Sequence, residues 1–385
     1  MLFLVAGAVT AADTLAVSEH QSPELIEVEN SSNYLSPPAE NVTRQQYETA
    51  DLDVSGAIAA DAARLQGDKE RNRVEYELTR AAEPAEVAEE LIAPIEHDVA
   101  RLETKQRHLV QNHSAGDISD GTFVREVVRH EATAQQYRSI AEHVREEVAL
   151  PDALGTRYGN LRGEIPLLPA PLSEQLDRAT TGEVDPTQVY IQSSPNSFVL
   201  GTVVDETYVR QAVLFDQRDR AADDQFVLDS RAAPEAAFSR GTSLYPWANN
   251  DNFGPNIQGF GTSSVYLFSS SHSHGELRSY LDGGTTNPFY EYQQKNALSV
   301  PVTQFTQDTN NGLRLTVEST APTGPMRVQV LGTGDTELSD IDVSINGQTL
   351  VRIDDGEDFW TIQPVGTFEV TATTPEGESV TVTVS

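Results

Sequence analysis

The stretch "SSSHSHGELRSYLDGG", Ser269 to Gly284, holds the residue types best suited to chemistry: His272 and His274 one residue apart, with Glu276 two further on. In a strand alternate residues share a face, so two imidazoles and a carboxylate would converge there. Such a set suits zinc or iron. A metal centre also needs a further firm ligand and a supporting shell, and no other histidine lies near in the chain. Gly275 interrupts the strand, and "DGG" at Asp282–Gly284 is a turn, so the stretch reads chiefly as two strands and their connection. His272, His274 and Glu276 are the candidate metal ligands.

Other constellations carry less. Tyr245 and Trp247, in "SLYPWANNDNFG", pair aromatic rings with asparagines, a combination that binds sugars and equally closes a core where a helix ends. The loops "NNDNFGPN", "DTNNG" and "DDGED" offer oxygen ligands for calcium, and none has the twelve-residue spacing of a helix-loop-helix site. His130-Glu131 begins like a zinc-peptidase helix, but Ala134 stands where the second histidine is required. There is no Gly-x-Ser-x-Gly elbow and no phosphate-binding loop. "GFGTSS" precedes a strand, whereas a dinucleotide loop must follow one. The expectation is a non-enzymatic protein without a cofactor, with zinc or calcium as the alternative.

The composition narrows the setting. Acidic residues number 59 against 26 basic ones, a net charge of −33 spread along all 385 residues. Only Lys69, Lys105 and Lys295 are lysines; the other basic residues are arginines. Dispersed acid keeps a protein soluble while it repels itself, and molar salt, with a Debye length of about 3 Å, removes that repulsion. Few lysines and uniform acidity resemble the proteins of extremely halophilic archaea. No basic face exists to displace counterions from nucleic acid or to meet anionic lipid, so neither is an expected partner. Without cysteine there is no disulfide, thiolate nucleophile or thiolate metal site.

The elements that must position these groups fall into five stretches. Residues 1–18 carry an apolar run, Leu2–Ala12, too short to span a bilayer and similar to the later part of a signal peptide. Residues 19–50 read as a polar linker. Residues 51–150 carry apolar stripes at threes and fours, predicting a helical hairpin or coiled coil, with a cap at Ser119 or Asp120. Residues 157–310 form an α+β domain in which "TQVYIQSS", "SFVLGTVVD", "DQFVLDS" and "SSVYLFSSS" read as strands. "PLSEQLDRA", "PEAAFSRGTSLYPW" and "NPFYEYQQKNAL" read as helices. Residues 312–385 are short strands between turns, a β-sandwich.

In that last segment "SINGQ", "DDGEDFWTI" and "PVGTFEVTAT" resemble the carboxypeptidase-regulatory-like (transthyretin-type) modules of exported proteins, which implies a non-catalytic brace. The whole arrangement, with "LYPWA" and "YLDGGTTN" in the α+β part, resembles uncharacterised exported proteins of haloarchaea, which implies a cell-surface or extracellular location. The expected class is a multidomain α+β protein with a structural, interaction or presentation role. Its expected partners are other cell-envelope proteins or a second copy held through the helical coil, and no membrane span is expected in the mature chain. The alternative is a metal-dependent hydrolase or a glycan- or ligand-binding receptor using the α+β domain.

Overall fold

The computed structural model describes residues 24–26, 34–165, 170–227, 233–249, 254–333 and 339–385; the signal-like segment 1–18 lies outside them. In chain order the first elements are β1 (Glu24–Ile26), β2 (Tyr34–Ser36), β3 (Arg44–Ala50), α1 (Val54–Arg80), α2 (Pro84–Ala115), α3 (Asp120–Glu147), α4 (Asp152–Glu164) and α5 (Ala170–Thr181). Next come β4 (Thr187–Ser194), β5 (Ser197–Val204), β6 (Thr207–Leu214), α6 (Ala233–Leu244), β7 (Asn256–Gly259), β8 (Val265–His272), β9 (Gly275–Asp282) and β10 (Pro288–Asn296). The last eight strands are β11 (Gln304–Asn310), β12 (Leu313–Ser319), β13 (Pro325–Gly332), β14 (Ile341–Ile345), β15 (Gln348–Ile353), β16 (Asp358–Ile362), β17 (Phe368–Thr373) and β18 (Ser379–Val384).

An eight-stranded antiparallel sheet, ordered β3-β4-β5-β6-β10-β9-β8-β7, organises the chain. Its strands alternate between two buried faces. Val189, Ile191, Phe198, Leu200, Val209, Val213, Tyr290 and Tyr292 pack under Val110 of α2, Phe123, Val124 and Val127 of α3, and Leu172 and Leu176 of α5. The opposite face is covered by β2, by α6 and by the C-terminal sandwich.

Helices α2 and α3 run antiparallel. Val110 and Phe123 meet on the sheet, while Ile92 and Val144 meet in a second cluster with Val74, Leu78, Leu154 and Tyr158 from α1 and α4. Pro84 starts α2, Gly116 ends it in the left-handed conformation, and the Ser119 hydroxyl caps α3 by accepting from the Thr122 N–H. Pro94 lies inside α2. The expected helical hairpin or coiled coil is a helical layer in which one end of the α2–α3 pair lies on the sheet and the other packs against α1 and α4. Among the described residues no helix is long and apolar enough to cross a membrane.

Four further expectations change. Residues 44–50, expected in a polar linker, are edge strand β3, paired with β4 from Arg44↔Ser193 to Ala50↔Thr187. The junction between the expected helical stretch 51–150 and the expected α+β domain 157–310 is spanned by α4, which belongs to the helical layer. "DQFVLDS" supplies a short 3-10 turn over Gln225–Val227, residues 228–230 lying outside the described residues. "NPFYEYQQKNAL" is not a helix but β10, paired with β6 and β9, because its aromatic rings and polar side chains alternate toward two buried faces.

The C-terminal unit is a sandwich of two four-stranded sheets, β11-β12-β13-β16 and β15-β14-β17-β18, around Leu315, Val328, Val343, Phe368 and Val382. Tyr47, Tyr190 and Tyr208 of the large sheet join that core, and the Tyr47 hydroxyl donates to the Ile362 carbonyl at 2.5 Å. The multidomain α+β class is thus observed, with its domains continuous through shared cores.

Candidate functional site

The face opposite the helices concentrates polar side chains where apolar ones are the rule. β6 presents Arg210 there, and β10 presents Glu291, Gln293 and Lys295; all four are at most 1% exposed. Gln293 stands directly opposite Arg210 in the β6–β10 register, which sets Glu291 diagonally across from the guanidinium. Arg210 Nη1 donates to Glu291 Oε1 at 3.1 Å. Its Nη2 donates to the Leu35 carbonyl at 2.6 Å and to Ser36 Oγ at 2.9 Å, and its Nε to Thr323 Oγ1 at 3.0 Å. One arginine thus ties the sheet to β2 and to the sandwich.

Glu291 is equally occupied. Its carboxylate accepts from the Tyr245 hydroxyl at 2.7 Å, the Leu35 N–H at 3.0 Å and Gln293 Nε2 at 3.0 Å. Burial pushes the carboxyl up from the usual range, opposed by Arg210 and these donors. Lys295 Nζ lies 3.0 Å from the Tyr34 hydroxyl and 4.2 Å from that ring's centroid, and burial holds its amine well below the usual lysine value. Burial raises the Tyr208 and Tyr245 phenols, so both stay protonated donors. The Tyr208 hydroxyl donates a hydrogen bond to the Thr323 carbonyl at 2.8 Å.

The residues singled out in the sequence gather at the margin of this node. Tyr245, fully buried at the end of α6, holds Glu291, and Trp247 meets it edge-on at 6.3 Å between centroids. Trp247 in turn packs against the His272 ring at 4.4 Å and lies 5.6 Å from Lys295 Nζ. Helix α6 reaches the sheet so closely that a Cβ on Gly241 would sit 2.6 Å from Phe268 Cγ.

The proposed metal trio is divided. β8 ends at His272 and β9 begins at Gly275, so Ser273 and His274 form a two-residue hairpin turn. Gly275 is required there: its φ is +151°, and an added Cβ would collide with the backbone carbonyl of Gln294. Glu276 pairs with Ser271 and shares its face, whereas His272 points to the other face, so the carboxylate and the imidazole are on opposite sides. Glu276 is exposed beside Arg278 at 3.5 Å. Among the described residues no group of three or more His, Asp or Glu is placed to hold a metal. The acidic loops serve turns: Asn311-Gly312 is the positive-φ pair of the β11–β12 hairpin, and Asp354 and Asp355 accept backbone N–H groups of Asp340 and Gly332. "NNDNFGPN" lies partly outside the described residues.

The node itself, Arg210, Glu291, Lys295, Tyr34 and Thr323, was missed in the sequence. Its signal is the alternation Glu291–Gln293–Lys295 against Tyr290–Tyr292, which is visible only once the segment is read as a strand. Chemically the arrangement is a closed, desolvated clamp in which every nitrogen of the Arg210 guanidinium and both oxygens of the Glu291 carboxylate have a hydrogen-bond partner.

Fold and site together define a multidomain α+β protein whose layers are clamped by buried charge. Residues 1–185 are similar to the Domain of unknown function (DUF7096), and residues 189–301 to the Family of unknown function (DUF7094). Residues 304–382 match the archaeal fibronectin-III type-like domain, in keeping with the C-terminal β-sandwich. No curated protein and no solved structure matches the chain.

Proposed function

We infer that the chain is a non-enzymatic exported protein of a salt-adapted archaeon, held at or beyond the cell surface, where it braces or presents other envelope components. The observation that carries this reading is that its most reactive buried groups, Arg210, Glu291 and Lys295, are engaged in joining β2, the sheet and the sandwich. Groups so engaged are not poised for turnover. The archaeal character of the sandwich and the dispersed acid excess support the setting. The sandwich would act as the brace that carboxypeptidase-regulatory-like modules supply. Fractionation of cells expressing a C-terminally tagged chain tests the location: recovery from the envelope or medium is expected, and retention in the cytoplasm overturns it.

A glycan-binding role is the second reading. A groove of about 820 Å³ runs between the β4–β5 end of the sheet and the sandwich, and half-buried Trp360 and the carboxylates of Asp358, Asp185 and Glu206 are among the residues that line it. An aromatic ring and carboxylates lining one groove suit sugar rings and hydroxyls. Thermal shift against neutral oligosaccharides, with Trp360→Ala as control, tests it: a stabilisation that the variant loses would favour this reading over the first.

A further inference from the structure

The opposite side of the sheet holds a second site. Between α2, α3, the end of α4 and strands β6 and β10 lies a cavity of about 80 Å³, walled by Val99, Leu102, Ala134, Ile165 and Val213. Four residues that line it carry a buried polar atom without a hydrogen-bond partner: the Tyr290 hydroxyl, on a residue 3% exposed, Nδ1 of His130, and the rim atoms Arg218 Nε and Glu164 Oε2, which keep ion-pair partners in Asp282 and Arg220. A buried orphan hydroxyl is costly unless something fills its place. Burial and the charge of Glu131 raise the Tyr290 phenol, so it remains a donor.

The rim is a chain of ion pairs. Arg107 pairs with Glu103 at 2.9 Å, Arg220 bridges Glu103 to Glu164, and Arg218 meets Glu164 at 3.1 Å. Arg107 and Arg218 also cover the faces of Phe215 and Phe289. The rim is spent on itself, and Glu131, 5% exposed, opposes an anion within. The cavity admits about six water-sized atoms at roughly 10–15 Å³ each.

We propose that this cavity is a binding site for a small uncharged molecule of about that size, with an apolar ring or chain and one hydroxyl or carbonyl held between Tyr290 and His130. Phenol, benzene and glycerol are the probes, titrated by calorimetry into the full chain in molar KCl. Phenol is expected to bind once per chain, more tightly than benzene or glycerol. Tyr290→Phe should weaken phenol about tenfold, the worth of one hydrogen bond, and leave benzene unchanged. Ala134→Phe should fill the space and abolish binding while the protein stays folded by circular dichroism. Absence of saturable phenol binding, or equal affinity in Tyr290→Phe, would overturn the proposal, as would a phenol-soaked crystal with only ordered water in the cavity.

Discussion

Arg210→Met is the most incisive perturbation of the clamp. It removes four hydrogen bonds, to Glu291, Leu35, Ser36 and Thr323, and leaves the Glu291 carboxylate in a site with no exposure. Breaking one side of a buried pair costs about 3–5 kcal/mol. Tyr245, the Leu35 N–H and Gln293 still address the carboxylate, which places the expected loss near 4 kcal/mol. Glu291→Leu should cost about as much, because it strands the guanidinium. The double variant removes both charges and takes a hydrogen bond from five neutral groups, the Leu35 N–H and carbonyl, Ser36, Thr323 and Gln293, each loss worth about 1 kcal/mol, while Tyr245 keeps Ser279. Its expected loss is about 5 kcal/mol rather than about 8, a coupling near 3 kcal/mol. Urea unfolding measures all four corners of the cycle. The losses should be alike in 0.5 M and 3 M KCl, since screening acts weakly on a desolvated pair. A single-variant cost below about 1 kcal/mol, or additivity within about 0.5 kcal/mol, refutes the reasoning.

The other expectations concern the hairpin, the acid limb, salt and metal. Gly275→Ala should destabilise by about 3 kcal/mol in urea melts, since the alanine meets both a disfavoured φ and the fixed Gln294 carbonyl. Burial first, then Arg129 and Lys105, pull the His130 imidazole down to about 4, with Glu131, Glu103 and Glu164 also around its cavity. A base whose folded value lies below its unfolded one stabilises fully above pH 6.5 and loses that contribution as pH falls toward about 4. His130→Gln should therefore flatten a pH titration of the melting temperature over that window, and an unchanged slope counts against the burial argument. The melting temperature should rise between 0.1 M and 3 M KCl as the −33 charge is screened; equal melting would remove the case for salt adaptation. Elemental analysis of protein purified in molar salt should find no stoichiometric zinc, and zinc lost in a His272→Ala/His274→Ala double variant would reinstate a metal site.

What the sequence disclosed follows from the range of the interactions involved. "TQVYIQSS" and "SSVYLFSSS" coincide with β4 and most of β8 because β-branched and aromatic residues state their preference locally. The stripes of α2 and α3 and the Ser119 cap were readable for the same reason. Strand β3, "RQQYETA", has no such pattern; it is a strand because β4, more than 130 residues later, offers its hydrogen bonds. "NPFYEYQQKNAL" was misread because, with both faces buried, its burial follows no amphipathic rule.

The site divides along the same line. Histidine, tyrosine and tryptophan draw attention by type, and His272, Tyr245 and Trp247 do cluster, yet at the margin of the node. The pair at its centre is 81 positions apart, and α6 and strands β7 to β9 intervene before β10 returns to lie beside β6. An arginine in "TYVRQAVL" and a glutamate in "YEYQQK" look like surface charge until that return is known. In a chain with so many acids, one buried glutamate is concealed by its neighbours' number. The scarcity of lysine was the better clue: of three, Lys69 and Lys105 are exposed and Lys295 is 1% exposed over two aromatic rings. A lysine in a chain that otherwise uses arginine marks a place where packing, rather than solubility, decides the residue.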